Sequence, residues 1–307
     1  MLRRLPITGS QWPHRDRTRG SKPVHPMQPK RRFIFHGNAA AYGGRIYRPT
    51  DTIIEAKGAS SLPVTGGRST ARLSSVRFGE FMRVGRASTL AEGFFDDLQQ
   101  AIAVTNHKIP EEALTTSSLV SAELENLVVG VKPRMTIDRL RATMRGRSPV
   151  GSREPALVPD HTVIKGVSVD GHKLIVDVHT ELFRRYDTRS KLIAAADDPK
   201  FVRANGASLF MTGAQGDRTA GKPRLFESGG IIHATIVKSL RWSGKPYPGA
   251  TIDGNSLRVP DLGLIFFGEL LITRMARRLT LARFEFGSPI GGFASAIDVD
   301  ANGGWSP

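Results

Sequence analysis

Two segments of this 307-residue chain follow one pattern, in which an Asp-Gly pair lies between short runs of alternating apolar residues. The pair is Asp170-Gly171 in the first segment and Asp253-Gly254 in the second. Such a pair is a strong local signal of a β-hairpin with a two-residue turn, because glycine accepts a positive φ and branched residues suit pleated strands. The pattern therefore predicts two antiparallel hairpins and constrains the chain to a strand-rich fold.

The rest of the sequence favours the same fold class. Turn-forming glycines recur at short intervals through residues 37–67, and alternating apolar residues predict strands at 32–36, 52–56, 115–129 and 231–242. Strands separated by frequent turn signals are typical of a sandwich or barrel. We therefore expect a mainly β protein with antiparallel sandwich or barrel-like sheets, a few short helices and a disordered basic N-terminal tail.

A further strand pair is predicted near the C-terminus, with its turn centred on Met275 and Ala276. This register places Glu269 opposite Arg283. An exposed cross-strand ion pair of this kind contributes about 0.2–1 kcal/mol to stability. We expect it to be structural.

Three helices are predicted from caps and spacing. The first begins at Thr89, which forms a capping box with Glu92, and has four apolar residues on one face. The second begins at Thr136. The third has Asp198 as its N-cap and Pro199 as its first residue. The apolar faces of the first two helices consist of Leu90, Phe94, Leu98 and Ile102, and of Ile137, Leu140 and Met144, and Gly206 ends the third.

The net charge of +16 is concentrated at the N-terminus, because residues 1–32 hold nine basic residues and one acidic residue. Two interpretations of this basic segment stand: an arm that engages nucleic acid or another anionic surface, or a leader before a true start at Met27. A Pro- and Gly-containing stretch at 147–160 suggests a linker. We therefore predict a disordered tail at 1–32, a glycine-rich β domain with one or two helices at 33–147, and a hairpin-rich domain at 148–307 that forms either a separate unit or one continuous fold with the preceding segment.

A group of arginines in and around the second predicted helix is a candidate polyanion-binding site. Guanidinium groups bind phosphate bidentately, so such a face could hold nucleic acid. A solvated arginine surface is the alternative interpretation. The residues are Arg134, Arg139, Arg141, Arg145 and Arg147.

The first hairpin supplies the candidate catalytic residues. Its predicted register pairs Thr162 with His179 and places both on one strand face with Asp177. A carboxylate and an imidazole on one face support general acid-base chemistry if a substrate is held beside them. Polar residues are also what the outer face of a half-buried sheet requires, and the second hairpin has Pro260 and Leu262 where the first has Asp177 and His179.

Other kinds of site are not indicated. The chain has no cysteine, and its histidines lack the i, i+4 spacing of a helical zinc site. Residues 216–222 have the spacing of a phosphate-binding loop, but Pro223 follows where that loop needs Ser or Thr to hold magnesium. We therefore predict no metal, nucleotide or other cofactor.

Three functions remain open. The first is a non-enzymatic structural or interaction module that contacts a protein partner or copies of itself, and the second is nucleic-acid or polyanion binding. The third is a hydrolase acting on a carbohydrate or other polar substrate. The sequence has no run of 18 apolar residues and no signal-peptide pattern, so we expect no membrane span and a cytoplasmic location.

Overall fold

Antiparallel β-strands make up most of the computed structural model, which describes residues 33–48, 51–97, 114–149, 152–209, 227–228, 230–288 and 291–305. Within these residues, twenty strands form two ten-stranded sheets, and three short helices lie between the twelfth and thirteenth strands. The predicted mainly β, antiparallel fold with a few short helices is therefore confirmed. The predicted tail at 1–32 and the phosphate-loop-like segment at 216–222 lie outside the described residues.

In chain order the elements are β1 (Phe33–Ile46), β2 (Thr52–Lys57), β3 (Ser60–Ser61), β4 (Gly67–Leu73), β5 (Val76–Phe78), β6 (Met82–Val84), β7 (Arg86–Phe95), β8 (Thr115–Val129), β9 (Met135–Pro149), β10 (Ala156–Lys165), β11 (Val167–Val169), β12 (His172–Val178), α1 (Glu181–Arg185), α2 (Arg189–Ala196), α3 (Pro199–Leu209), β13 (Glu227–Ser228), β14 (Ile231–Thr235), β15 (Val237–Trp242), β16 (Thr251–Asp253), β17 (Ser256–Val259), β18 (Gly263–Ile272), β19 (Ala276–Phe286) and β20 (Gly292–Trp305).

The first sheet has the order β13-β14-β18-β19-β20-β1-β2, with β3 beside β1 and the β16–β17 hairpin beside β18. The second has the order β15-β12-β11-β9-β8-β6-β5, with β10 beside β9 and the β4–β7 pair beside β8. Strands from both sides of residue 148 belong to each sheet. The strands β1 and β20 pair from Phe33 opposite Trp305 to Ile46 opposite Gly292.

The core lies between the two sheets, where β1, β19 and β20 of the first pack against β7, β8 and β9 of the second. Apolar side chains from both sheets form one buried cluster, as expected for two sheets packed face to face. Its largest fully buried members include Tyr42, Phe183, Phe267, Phe284 and Leu124.

The predicted helix beginning at Thr89 is wrong over its described part, because those residues belong to β7, which pairs with β4 and β8. Its buried positions alternate with period two and carry small residues, among them Ala87, Ala91 and Gly93. Glycine is needed at 93 because an added Cβ would lie 2.7 Å from the Phe35 ring of β1. The segment is therefore a strand because β1 packs against its small residues, although its large apolar residues have helical spacing.

The predicted helix beginning at Thr136 is also wrong, because this segment is part of the 15-residue strand β9. In β8 the buried residues are even-numbered up to Leu124 and odd-numbered from Leu127. In β9 the buried face changes between Ile137 and Leu140, which lie opposite Leu127 and Leu124. Asn126, between these pairs, has a φ of +55°. At this point the buried face of each strand becomes the exposed face, and two successive buried residues are three positions apart. That spacing imitates a helix.

The first hairpin forms as predicted, with Val169 opposite His172 and a turn at Asp170 and Gly171, whose φ values are +45° and +84°. The predicted pairing of Thr162 with His179 is wrong. The β11–β12 ladder ends at Val167 opposite Leu174, because the chain turns at Gly166, where φ is +67°.

The second hairpin turns one residue later than predicted, at Gly254 and Asn255, with Asp253 opposite Ser256. The cause is Asn255, which is buried and donates its side-chain amide to the Phe267 carbonyl at 2.9 Å. Phe267 also donates its N–H to the Asn255 carbonyl at 2.9 Å. These contacts with β18 fix the turn.

The strand predicted at 231–242 is two strands in different sheets, since β14 pairs with β18 and β15 pairs with β12. The chain crosses between the sheets at Ile236, which is fully buried and donates its N–H to the Gly268 carbonyl at 2.9 Å. The hydroxyl of Thr235 donates to the same carbonyl at 3.0 Å. The apolar alternation predicted the strand character but not the crossing.

The closing hairpin has a different register from the predicted one, because Glu269 lies opposite Thr280 and its turn centres on Arg274 and Met275. The ion pair between Glu269 and Arg283 nevertheless forms diagonally, with Nε of Arg283 2.6 Å from Oε2 of Glu269. Glu269 is buried rather than exposed, and Arg283 lies over the Phe266 ring at 4.0 Å.

The predicted helix after Asp198 is α3, and Oδ1 of Asp198 accepts the Lys200 N–H at 2.8 Å. Its predicted end at Gly206 is wrong, because the helix continues to Leu209, whose side chain is buried. Most of the stretch predicted as a linker at 147–160 lies in β9 and β10, which pair with each other. The strands predicted at 52–56 and 115–129 are confirmed as β2 and β8.

Candidate functional site

A cavity of about 660 Å³ opens at one end of the sandwich, where connections from both sheets meet. We call it the loop-end cavity. It is formed by the ends of β1 and β2, the β5–β6 turn, the β8–β9 connection and the β17–β18 connection. Its lining residues are Ile46, Thr52, Arg77, Phe78, Gly79, Glu80, Phe81, Gly130, Val131, Lys132, Pro133, Asp261 and Leu262.

Aromatic contacts support two of the apolar walls. The Phe78 ring meets Tyr42 edge to face with centroids 5.2 Å apart, and the Phe81 ring meets Phe286 edge to face at 6.2 Å. Tyr42 is 1% exposed, and its hydroxyl has no hydrogen-bond partner within the described part of the chain. Burial raises the pKa of the Tyr42 hydroxyl, so this group stays neutral. The walls are thus held by the sandwich core rather than by the loops alone.

Backbone hydrogen bonds connect the loops around the cavity. The Gly130 N–H donates to the Phe81 carbonyl at 2.7 Å, and the Gly287 N–H donates to the Leu262 carbonyl at 3.1 Å. Gly130 has a φ of +84°, and an added Cβ would lie 2.3 Å from the Pro133 carbonyl oxygen. These contacts hold the loops in place, and such ordering lowers the entropic cost of binding a ligand.

Four exposed charged residues surround the apolar walls: Arg77, Glu80, Lys132 and Asp261. In the described residues, none of the four side chains forms an ion pair with another residue. Some outward-facing charges of the second sheet form ion pairs instead, as between Nη2 of Arg86 and Oε2 of Glu125 at 2.6 Å. The cavity entrance thus combines apolar surface with charged groups that remain available to a ligand.

The predicted catalytic residues do not form a hydrogen-bonded group. Oδ2 of Asp177 accepts the Ser239 hydroxyl at 2.6 Å and lies 3.6 Å from Nε of Arg241. The backbone N–H of His179 donates to the Ile236 carbonyl at 2.7 Å, and Thr162 lies on β10, whose ladder partner is β9. The structure therefore places Asp177 in a cross-strand polar contact, and a catalytic role for the three residues stays a prediction.

The five arginines predicted to bind polyanions lie on β9 and just before it, and three of them contact carboxylates. Nε of Arg139 donates to Glu123 at 2.6 Å, Nε of Arg145 lies 2.8 Å from Asp160, and Nε of Arg147 lies 3.5 Å from Asp96. Within the described chain, the side chains of Arg134 and Arg141 have no ion-pair partner. Polyanion binding by this surface remains a prediction.

Asp160 is the centre of a polar cluster that the sequence did not indicate. Its carboxylate contacts Arg145, Arg184 and His161, with Nε2 of His161 3.3 Å from Oδ2. The β10 strand bulges here, and His161 has a φ of +45°. The partners come from β9, β10 and α1, so no local pattern connects them.

Where the structure describes the chain, no three His, Asp or Glu side chains are grouped so that they could hold a metal ion. None of the described helices has the length and apolar character needed to cross a membrane.

The chain matches a known protein family over most of its length. A family model described as "Domain of unknown function (DUF8256)" matches residues 33–273. The chain belongs to this DUF8256 family. All residues that line the loop-end cavity fall inside the matched segment of the DUF8256 domain, whereas β19 and β20 follow it. No curated protein and no solved structure matches the chain.

Sequence reasoning missed the loop-end cavity. The available signals were the turn glycines Gly79 and Gly130 next to aromatic or charged residues, and these also mark ordinary loops. The lining residues lie in connections between strands that are distant in the chain. A pattern within one segment could not identify them as one site.

Proposed function

We propose that this DUF8256 protein is a binding module, and that its loop-end cavity takes up a small, mainly apolar ligand. The observation that carries the proposal is the cavity of about 660 Å³ with Phe78, Phe81 and Leu262 among its walls. Cavities that bind small molecules span roughly 300–1,000 Å³ and are lined mainly by apolar and aromatic groups. This function differs from the predicted interaction module, whose partner is a protein or another copy of the chain.

The size of the cavity sets the expected affinity. A ligand that buries roughly 300 Å² of apolar surface gains about 7–8 kcal/mol at 25 cal/mol per Å². Loss of translational and rotational freedom opposes this gain, but the preformed walls limit the further cost of ordering loops. Because the net gain must be smaller than about 7–8 kcal/mol, we expect dissociation constants weaker than about 10 μM for a simple apolar ligand.

The test uses N-phenyl-1-naphthylamine, an uncharged dye whose fluorescence rises in apolar surroundings. We expect saturable binding to the full chain and at least a roughly tenfold weaker affinity in Val131→Trp, because the indole would fill the entrance. Val131 is 48% exposed, so the substitution should leave the core intact.

Val64→Trp is the matched control, because Val64 is 63% exposed and does not line the cavity. It should bind the dye with wild-type affinity. Absence of saturable binding to the wild-type chain, or equal affinity of the two tryptophan variants, would contradict the proposed site.

A further inference from the structure

The β5–β6 hairpin beside the loop-end cavity places two arginines directly opposite each other. Arg77 pairs with Arg83, between the pairs Val76–Val84 and Phe78–Met82. Val84 and Met82 are buried, so the two arginines share the outward face, where both are exposed. Like charges directly opposite in an antiparallel ladder are destabilising.

This repulsion is not relieved within the described chain, where neither arginine forms an ion pair. The same sheet places carboxylates against other outward arginines, since Arg86 lies opposite Glu125 and Arg139 contacts Glu123. The β5–β6 hairpin departs from that arrangement. An unrelieved pair of cations is a stability cost that an anionic ligand would remove.

The position of the pair connects it to the loop-end cavity. Arg77 lines that cavity, whereas Arg83 lines a neighbouring depression of about 400 Å³ together with Asn126 and Asp138. Arg77 therefore lies at the margin of the apolar walls, and Arg83 lies opposite it on the same hairpin. Guanidinium groups bind carboxylate and phosphate oxygens through charge-assisted, often bidentate hydrogen bonds.

We propose that the ligand is an amphiphile with an oxyanion head group, whose apolar chain enters the loop-end cavity while Arg77 and Arg83 hold the head. This inference rests on the proposed function and adds the chemical class of the ligand. The acidic residues Glu80 and Asp261 at the same entrance are expected to moderate the affinity for either anion.

The test measures displacement of N-phenyl-1-naphthylamine by three ligands with the same chain, dodecanol, dodecanoate and dodecyl phosphate, each below its micelle concentration. We expect the two anions to bind roughly tenfold more tightly than dodecanol, consistent with one or two exposed charge-assisted contacts. The ratio between the two anions distinguishes a carboxylate from a phosphate source. Dodecyltrimethylammonium is the ligand with opposite charge and is expected to bind more weakly than dodecanol.

The variants are Arg77→Gln, Arg83→Gln and the double variant, with Arg203→Gln on α3 as the matched control. Arg203 is exposed and lines neither cavity. In the double variant the affinity of each anion should become about equal to the affinity for dodecanol, whatever the change in dodecanol affinity itself. Without ligand, Arg83→Gln should melt at the same or a higher temperature than wild type, because a repulsion is removed.

The outcomes separate the two proposals. If neither the dye nor dodecanol binds, the proposed cavity function fails. If dodecanol binds as tightly as dodecanoate, or if the anion advantage persists in the double variant, the head-group inference is overturned and the cavity function stands. If Arg203→Gln reduces the advantage of the anions as much as the double variant does, the general positive charge of the chain is the cause of that advantage. This result would also overturn the inference.

Discussion

Replacing Arg277 with alanine is expected to lower the free energy of unfolding by about 3–5 kcal/mol, the range seen when one partner of a buried charged cluster is removed. Arg277 is 1% exposed, although its neighbour Arg278 on β19 is exposed. Its guanidinium donates to the carbonyl of Phe183 at 3.1 Å and to that of Tyr186 at 2.6 Å. These carbonyls belong to the end of α1, where no helical donor is available to them.

The charge of Arg277 is compensated by two nearby carboxylates. Burial lowers the pKa of Arg277 to about 10, and the attraction of Asp187 and Glu154 opposes that change. A base whose pKa falls on folding destabilises the folded state while it is charged, and this cost is relieved only as the pH rises through about 10. The alanine variant should therefore lose the same stability at about pH 6 and about pH 8.

Chemical denaturation of Arg277→Ala and Arg278→Ala provides a matched comparison of adjacent residues. Arg278 is exposed and forms an ion pair with Asp298, so its loss should cost about 1 kcal/mol or less. Similar losses in the two variants would show that the contacts of Arg277 with the end of α1 do not stabilise the fold.

Gly263→Ala is expected to lower the free energy of unfolding by roughly 3–5 kcal/mol, combining backbone strain with overpacking. Gly263 begins β18 with a φ of +124°. An added Cβ would lie 2.0 Å from the Glu285 carbonyl oxygen and 2.7 Å from the Gly287 nitrogen. Both contacts are with backbone, so relief requires β18 and the end of β19 to separate.

The control for this substitution is Gly171→Ala in the turn of the first hairpin. Gly171 also has a positive φ, +84°, but its added Cβ would meet no atom within 4 Å. The free energy of unfolding of Gly171→Ala should fall by only about 1–2 kcal/mol, which is the cost of the left-handed conformation. Because Gly263 follows the cavity residue Leu262, its variant should also bind N-phenyl-1-naphthylamine more weakly, whereas Gly171→Ala should bind it normally. Equal stability losses would rule out the backbone clash.

The incorrect helix predictions have a common physical cause. The segments after Thr89 and Thr136 have large apolar residues at helical spacing, yet both are strands. In β7 the inward positions carry small residues that admit the Phe35 ring, and in β9 the buried face changes where β8 and β9 turn over together. Both effects depend on a neighbouring strand, so periodicity within one segment could not reveal them.

The sequence alone determined the strand-rich class, the turn of the first hairpin and the strand β8. These features depend on local causes, namely side-chain alternation and the left-handed conformation at an Asp-Gly pair. Even the repeated pattern settled only one of its two turns, because the contacts of Asn255 with Phe267 shifted the other by one residue.

Only the tertiary structure decided the loop-end cavity and the burial of Arg277. Each depends on which strands become neighbours. For example, β1 at the start of the described residues pairs with β20 at their end. Such pairings bring together groups that are far apart in sequence, and their free energies depend on burial and distance rather than on local spacing. The candidate site of this protein is therefore a product of its sheet topology.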